Sequence, residues 1–266
     1  MKRVRVPDFA EKKRRGQKIT MLTAYDATMA GLLDRAGIDS LLVGDSLGMV
    51  ILGQETTIPV TLDVMVHHTR AVSRGAKRAL VIADMPFLTY QVSIEEAIRN
   101  AGRLVQDGGA AAVKLEGGKP VAETVQRLVE IGIPVLGHVG MTPQSVHRLG
   151  GFRPVGKTVA EADRIIEDAR MLEHAGAFGV VVESVPPEVA REITAALTIP
   201  TIGIGAGPDC DGQVLVCYDM LGLTDGFHPK FVKHFAELRV EATRAVQAYV
   251  SEVRSGAFPD DAHSHH

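Results

Sequence analysis

Short apolar runs rich in β-branched residues recur along this chain, and between them apolar positions return with the period of a helix. The runs are ITMLTAYD (19–26), SLLVGDS (40–46), ALVIADM (79–85), AAVKLEG (111–117), IPVLGHVG (133–140), FGVVVES (178–184), IPTIGIGAG (199–207) and a weaker QVLVCYD (213–219). Strands apolar throughout fit a sheet covered on both faces, which is how parallel sheets are built. The intervening segments carry helix punctuation. ATMAGLLDRAG (27–37) ends on a glycine suited to the position after a helix. SIEEAIRNAGRLVQDGG opens with the capping pair Ser93 and Glu96, and TVAEADRIIEDARMLEHAG opens with Thr158 and Glu161. PPEVAREITAAL places prolines at its first turn. About eight rounds of strand and helix predict a parallel sheet, and a closed (β/α)8 barrel, an α/β fold of roughly 250 residues, uses this length better than an open sheet.

No linker, low-complexity tract or shift of composition interrupts the 266 residues, so one domain is expected over 1–266. It has an N-terminal lead-in (1–18), a long amphipathic C-terminal helix (230–256) and a tail (257–266). The basic stretch KKRRGQK (12–18) reads as a solvated part of the lead-in, and the ending HSHH receives no function. Two connections are long, 48–61 and 141–157. Both follow strand C-termini, where barrels build active sites, and they read as lids, binding loops or a subunit interface.

A net charge of −3 argues against a nucleic-acid partner, which needs a clustered basic surface. No apolar run approaches the ~20 residues of a membrane span, and the charged N-terminus lacks the apolar region of a signal peptide, so no membrane partner is expected. The two cysteines, Cys210 and Cys217, match no zinc spacing and form no disulfide framework, which suits a reducing cytoplasm.

Chemistry is concentrated at the strand ends. Asp45, Asp84, Glu116 and Glu183 each close or directly follow an apolar run. Any one of them could cap a following helix or pair with an arginine. Together, converging on one barrel mouth, they point to a metal and acid/base site. A hard divalent cation such as Mg²⁺ takes oxygen ligands, and Asp45, Asp84 and Glu116 suit it. Lys114 lies two residues before Glu116 and so shares its face of the strand. It could bind a substrate carboxylate, form a Schiff base or make a structural ion pair. His138 ends the LGH of the fifth run and is a candidate substrate contact, with Ser46 and Tyr25 as further hydrogen-bond donors. Glu183 closes GVVVE, and a carboxyl in apolar surroundings suits general-base work. GIGAG (203–207) could cradle a phosphate, or its glycines could serve only close packing.

Several long motifs carry a more specific signal. GDSLGMVILG, PVTLDVMVHH, ADMPFLTY, AVKLEGG, GHVGMTPQSVHRLGG, GIGAGPDCDGQVLVCYDMLGL and the ending PKFVKHF…EVRSGAFP resemble the ketopantoate hydroxymethyltransferase (3-methyl-2-oxobutanoate hydroxymethyltransferase) family, from about residue 20 to 259. His67-His68 departs from the Tyr-His expected there, in a predicted helix. The resemblance implies a (β/α)8 barrel related to the phosphoenolpyruvate mutase and isocitrate lyase group. It implies transfer of a hydroxymethyl group from 5,10-methylenetetrahydrofolate to 3-methyl-2-oxobutanoate through a Mg-stabilised enolate, giving 2-dehydropantoate for pantothenate biosynthesis. By residue match, Asp45, Asp84 and Glu116 would hold Mg²⁺, while Asp45, Ser46, Asp84 and Lys114 would bind the oxo acid. Glu183 would accept the proton, and the assembly would be a homodecamer. The alternative on the same barrel is a metal-dependent lyase cleaving a C–C bond of a 2-oxo acid.

Overall fold

The computed structural model describes residues 2–226 and 229–265. His266, the last residue of the HSHH ending, lies outside them. Eight parallel strands close a barrel in sequence order: β1 (Ile19–Thr23), β2 (Ser40–Val43), β3 (Leu80–Asp84), β4 (Ala112–Lys114), β5 (Val135–Gly140), β6 (Gly179–Glu183), β7 (Thr201–Ile204) and β8 (Gly212–Leu215). β1 pairs with β8 from Ile19↔Gly212 to Leu22↔Leu215, so the sheet has no edge. Around it run α1 (Val6–Arg14), α2 (Ala27–Arg35), α3 (Leu47–Val50), α4 (Leu62–Gly75), α5 (Ile94–Gln106), α6 (Ala122–Glu130), α7 (Val146–Leu149), α8 (Val159–His174) and α9 (Pro187–Ala196). A second compact unit, Cys217–His266, holds α10 (Cys217–Met220) and α11 (Leu238–Ser255).

Helix starts follow the capping residues of the sequence. Asp26 accepts the Met29 N–H (2.8 Å) at α2, Ser93 the Glu96 N–H (3.2 Å) at α5, and Thr158 the Glu161 N–H (3.3 Å) at α8. Each acceptor satisfies an amide that the first turn leaves without a helical partner. Both long connections are partly helical: α3 interrupts the first, and a 3₁₀ turn at Pro143–Ser145 followed by α7 interrupts the second.

The barrel interior is packed by Met21, Leu42, Ile82, Leu136, Val181 and Ile202, among others. Its N-terminal end is closed by the lead-in; residues 14–18 are exposed, as the solvated reading of 12–18 expects, while Lys12 and Lys13 depart from it. Phe9 of α1 is fully buried against that interior and meets Phe178 edge-to-face, with ring centroids 5.5 Å apart. Lys12 pairs with Asp39 before β2 (2.7 Å), and Lys13 with Asp211 before β8 (2.9 Å). The basic residues thus tie α1 to the ends of two strands, while its aromatic plugs the barrel floor.

Two further boundaries differ from expectation. The eighth strand stops at Leu215, and the residues expected to continue it, from Cys217, turn into α10. The terminal helix begins at Leu238 rather than near 230. In between, the Phe235, Leu238 and Arg239 amides donate to the carbonyls of Met220, Leu221 and Gly222. Tertiary hydrogen bonds have taken the donors that an earlier helix start would have used.

Candidate active site

Barrel closure gathers the strand-end residues at the C-terminal mouth. Asp84 and Lys114 are register partners on β3 and β4, so their side chains point the same way, and they form a buried ion pair. Asp84 Oδ2 also accepts the Asp45 amide (3.2 Å). Gly44 makes room here: a Cβ on it would lie 2.8 Å from Ser46 Oγ and 3.5 Å from Asp84 Oδ2. Ser46 Oγ and the Tyr25 hydroxyl are 2.9 Å apart. His68 Nδ1 lies 2.6 Å from the Tyr25 carbonyl, so one of the two histidines of the unusual pair supports the segment carrying Tyr25.

His138 stands between two carboxylates. Its Nδ1 is 3.4 Å from Glu116 Oε1 and its Nε2 is 3.2 Å from Glu183 Oε2. Both are ion-pair contacts, and neither is aligned as a hydrogen bond. Glu183 is the most exposed of the mouth carboxylates, with 13 % of its side chain accessible. The chain turns sharply beyond it. Ser184 adopts φ 48°, held by its own amide donating to Ile204 O (2.9 Å) and its carbonyl accepting the Val155 N–H (3.0 Å).

Burial and mutual repulsion set the charge state. Burial, then Asp84 and Glu116, push the Asp45 carboxyl up to about 8. Burial also raises Asp84, against the pull of Lys114. Burial opposes ionisation of Glu116, but His138 and Lys114 hold it below the usual range. Burial and Lys114 both work against His138, yet Glu116 and Glu183 outweigh them and push it up to about 9. Lys114 is favoured as the cation despite burial, because Asp84, Glu116 and Asp45 surround it. A held ammonium is a poor nucleophile, which disfavours the Schiff-base role and favours a carboxylate partner.

Two residues of this network carried no assignment in the sequence. Gln144, in the turn after β5, donates to Asp45 and Glu116, and the Tyr90 hydroxyl accepts the Glu116 amide (3.1 Å). Their motifs, MTPQSV and ADMPFLTY, are visible, but both residues sit in loops, where strand periodicity carries no information. Beside them opens a cavity of about 690 Å³, lined by Tyr90, Glu116, Gln144, Arg148, Arg164 and Asp168 among others. Two of the GIGAG glycines are closely packed: a Cβ on Gly203 would meet Cys210 Sγ at 3.0 Å, and one on Gly207 would meet Pro187 at 2.8 Å.

As the side chains stand, no group of three or more His, Cys, Asp and Glu among the described residues is gathered closely enough to hold a metal ion. The donor chemistry nevertheless fits a hard cation. Asp45, Asp84 and Glu116 are buried oxygen donors, and Glu116 Oε1 is buried without a hydrogen-bond partner. Their mutual repulsion, which with burial raises Asp45 and Asp84, is what a bound divalent cation would relieve.

Solved structures of similar architecture define the class. Phosphonopyruvate hydrolase complexed with oxalate and Mg++ aligns with TM-score 0.64 at 12% identity, over 98% of this chain and 93% of that one. A 2,3-dimethylmalate lyase, a PEP mutase/isocitrate lyase superfamily member, aligns with TM-score 0.62 at 17% identity, over 97% and 88%. The protein is therefore a (β/α)8 barrel, similar in fold to these enzymes. Sequence places it more closely. The 3-methyl-2-oxobutanoate hydroxymethyltransferase of Syntrophus aciditrophicus (strain SB) is 61% identical over 95% of this chain and 93% of its own length. That of Moorella thermoacetica (strain ATCC 39073 / JCM 9320) is 58% identical over 98% and 97%. The ketopantoate hydroxymethyltransferase family model matches residues 3–261, and the chain belongs to that family.

Proposed function

We propose that the protein transfers a hydroxymethyl group from 5,10-methylenetetrahydrofolate to 3-methyl-2-oxobutanoate, giving 2-dehydropantoate on the route to pantothenate. Family membership supports the reaction. The observation that carries the assignment of roles is the division of the mouth carboxylates. Asp45, Asp84 and Glu116 share one buried network with Lys114 and Gln144, while Glu183 stands apart, more exposed and joined to that network through His138.

On this reading Asp45, Asp84 and Glu116 hold Mg²⁺, which when bound supplies Lewis-acid polarisation of the substrate ketone. Lys114 offsets the charge of the oxo acid's carboxylate, with Asp45, Ser46 and Asp84 as further contacts on the acid. Glu183 removes the C3 proton, and the C–H electron pair moves into the ketone to give an enolate. The enolate carbon attacks the one-carbon unit of the opened folate, and water supplies the hydroxyl oxygen as tetrahydrofolate leaves. His138 faces Glu183 Oε2 at 3.2 Å and positions that carboxylate. The 690 Å³ cavity beside Glu116 gives room for the donor, whose carboxylates would face Arg148 and Arg164.

The family resemblance supports a homodecamer in the cytoplasm, which sedimentation and fractionation would check. Among the described residues no helix is long and apolar enough to cross a membrane.

Proton NMR of 3-methyl-2-oxobutanoate in D₂O tests the reading. Loss of the C3 proton signal with Mg²⁺ and the protein is expected, and the same loss at full rate with Glu183→Gln would remove Glu183 as base. No exchange with or without methylenetetrahydrofolate would overturn the assignment of substrate.

A further inference from the structure

Gln144 is almost fully buried, and every hydrogen-bonding position of its side chain is used. Nε2 donates to Asp45 Oδ2 (2.9 Å) and to the Met85 carbonyl (3.0 Å). Oε1 accepts from the Tyr90 hydroxyl (2.7 Å) and from Gln91 Nε2 (3.3 Å). The backbone amide of the same residue donates to Glu116 Oε2 (3.0 Å). The orientation of the amide follows from its partners. Turned over, its oxygen would face a carboxylate and a carbonyl, both of them acceptors. One residue of the β5–α8 connection therefore holds carboxylates from the ends of β2 and β4. It takes Glu116 Oε2, while Glu116 Oε1 stays buried with no hydrogen-bond partner.

We propose that Gln144, oriented by Tyr90, is the positioning residue that presets Asp45 and Glu116 to receive a divalent cation, an inference resting on the metal reading above. Carboxylate ligands swing about their terminal bonds unless an outer partner fixes them. Loss of such a partner typically weakens metal binding by ~10–100-fold. Gln144 touches neither substrate carbon nor base in this scheme, so its effect belongs to metal affinity rather than to proton removal.

The test is a Mn²⁺ titration of the metal-free full-length protein, read by the loss of the free-ion EPR signal, with circular dichroism to confirm folding. Gln144→Leu keeps the size of the side chain and the backbone bond to Glu116, and should weaken Mn²⁺ binding by ~10–100-fold. Tyr90→Phe removes one hydroxyl and should weaken it less. The double variant should be weaker by less than the two separate effects combined, because the Tyr90 hydroxyl acts partly through the Gln144 amide and partly on the Glu116 backbone N–H. The Mg²⁺ concentration needed for half-maximal C3-proton exchange should rise in parallel, with the rate at saturating Mg²⁺ largely restored. Wild-type affinity in folded Gln144→Leu overturns the proposal, as does full additivity of the two changes. If Gln144→Leu fails to fold, wild-type affinity in Tyr90→Phe overturns it. A wild-type protein that binds no Mn²⁺ overturns the metal reading itself, which separates that failure from this one.

Discussion

Gly140, the last residue of β5, offers a way to move the proposed base without touching it. Its φ is 95°, and a Cβ there would lie 2.3 Å from the Glu183 carbonyl oxygen, 2.9 Å from Val185 Cγ1 and 3.2 Å from the Glu183 nitrogen. Two of these atoms are backbone of the register partner itself, Gly140↔Glu183, so no side-chain rotation relieves the contact. Gly140→Ala must therefore separate the ends of β5 and β6 by about 1 Å to reach an ordinary contact distance. A displacement of that size at a reacting group costs about 10²-fold in rate. Holding alanine at positive φ adds roughly 1–2 kcal/mol of destabilisation, before any cost of the displaced backbone. Gly132 supplies the control, since its φ is 93° and a Cβ there meets nothing within 4 Å. Gly132→Ala should lose the conformational increment alone and keep its rate. The assays are C3-proton exchange at saturating Mg²⁺ and urea denaturation of both variants. A folded Gly140→Ala protein exchanging within about threefold of wild type would refute the claim that Glu183 must sit where β5 holds it.

Other outcomes follow from the same structure. Phe9→Ala should remove about 3–5 kcal/mol of stability by urea denaturation, as expected for an emptied aromatic site, yet leave the exchange rate of the folded protein unchanged, because the plug lies at the far end of the barrel. Asp34 is held below the usual carboxylate range: burial opposes this, but amides of Ala79, Lys77 and Arg78 donate to it. Its contribution is therefore present above the unfolded pKa of about 4 and is lost as pH falls through the folded value. Asp34→Asn should be less stable at neutral pH and show a flatter stability–pH curve on the acid side, measured by thermal unfolding at stepped pH. Glu183→Gln should abolish exchange and turnover while retaining the oxo acid, as a calorimetric titration of the variant would show.

Strand–helix alternation, caps such as Ser93 and Thr158, and the apolar runs of β2 and β3 were legible in order, because local periodicity and hydrogen-bond need act within a few residues. Acidic strand ends were legible for the same reason: a carboxylate that stops an apolar run announces itself. Three matters lay beyond local pattern. Asp84 and Lys114 meet because β3 and β4 pair in one register, and that register is a property of the closed sheet. Phe9 becomes a plug, and Lys12 and Lys13 become ties, only once a barrel floor exists to receive them. Gln144 reaches Asp45, 99 positions away, through a loop whose path owes nothing to hydrophobic periodicity. The sequence by itself determined which elements form and which chemistry they carry, since those are decided by neighbours along the chain. Which charged and polar groups face one another was decided by closure of the barrel, which brings residues far apart in sequence within hydrogen-bond reach.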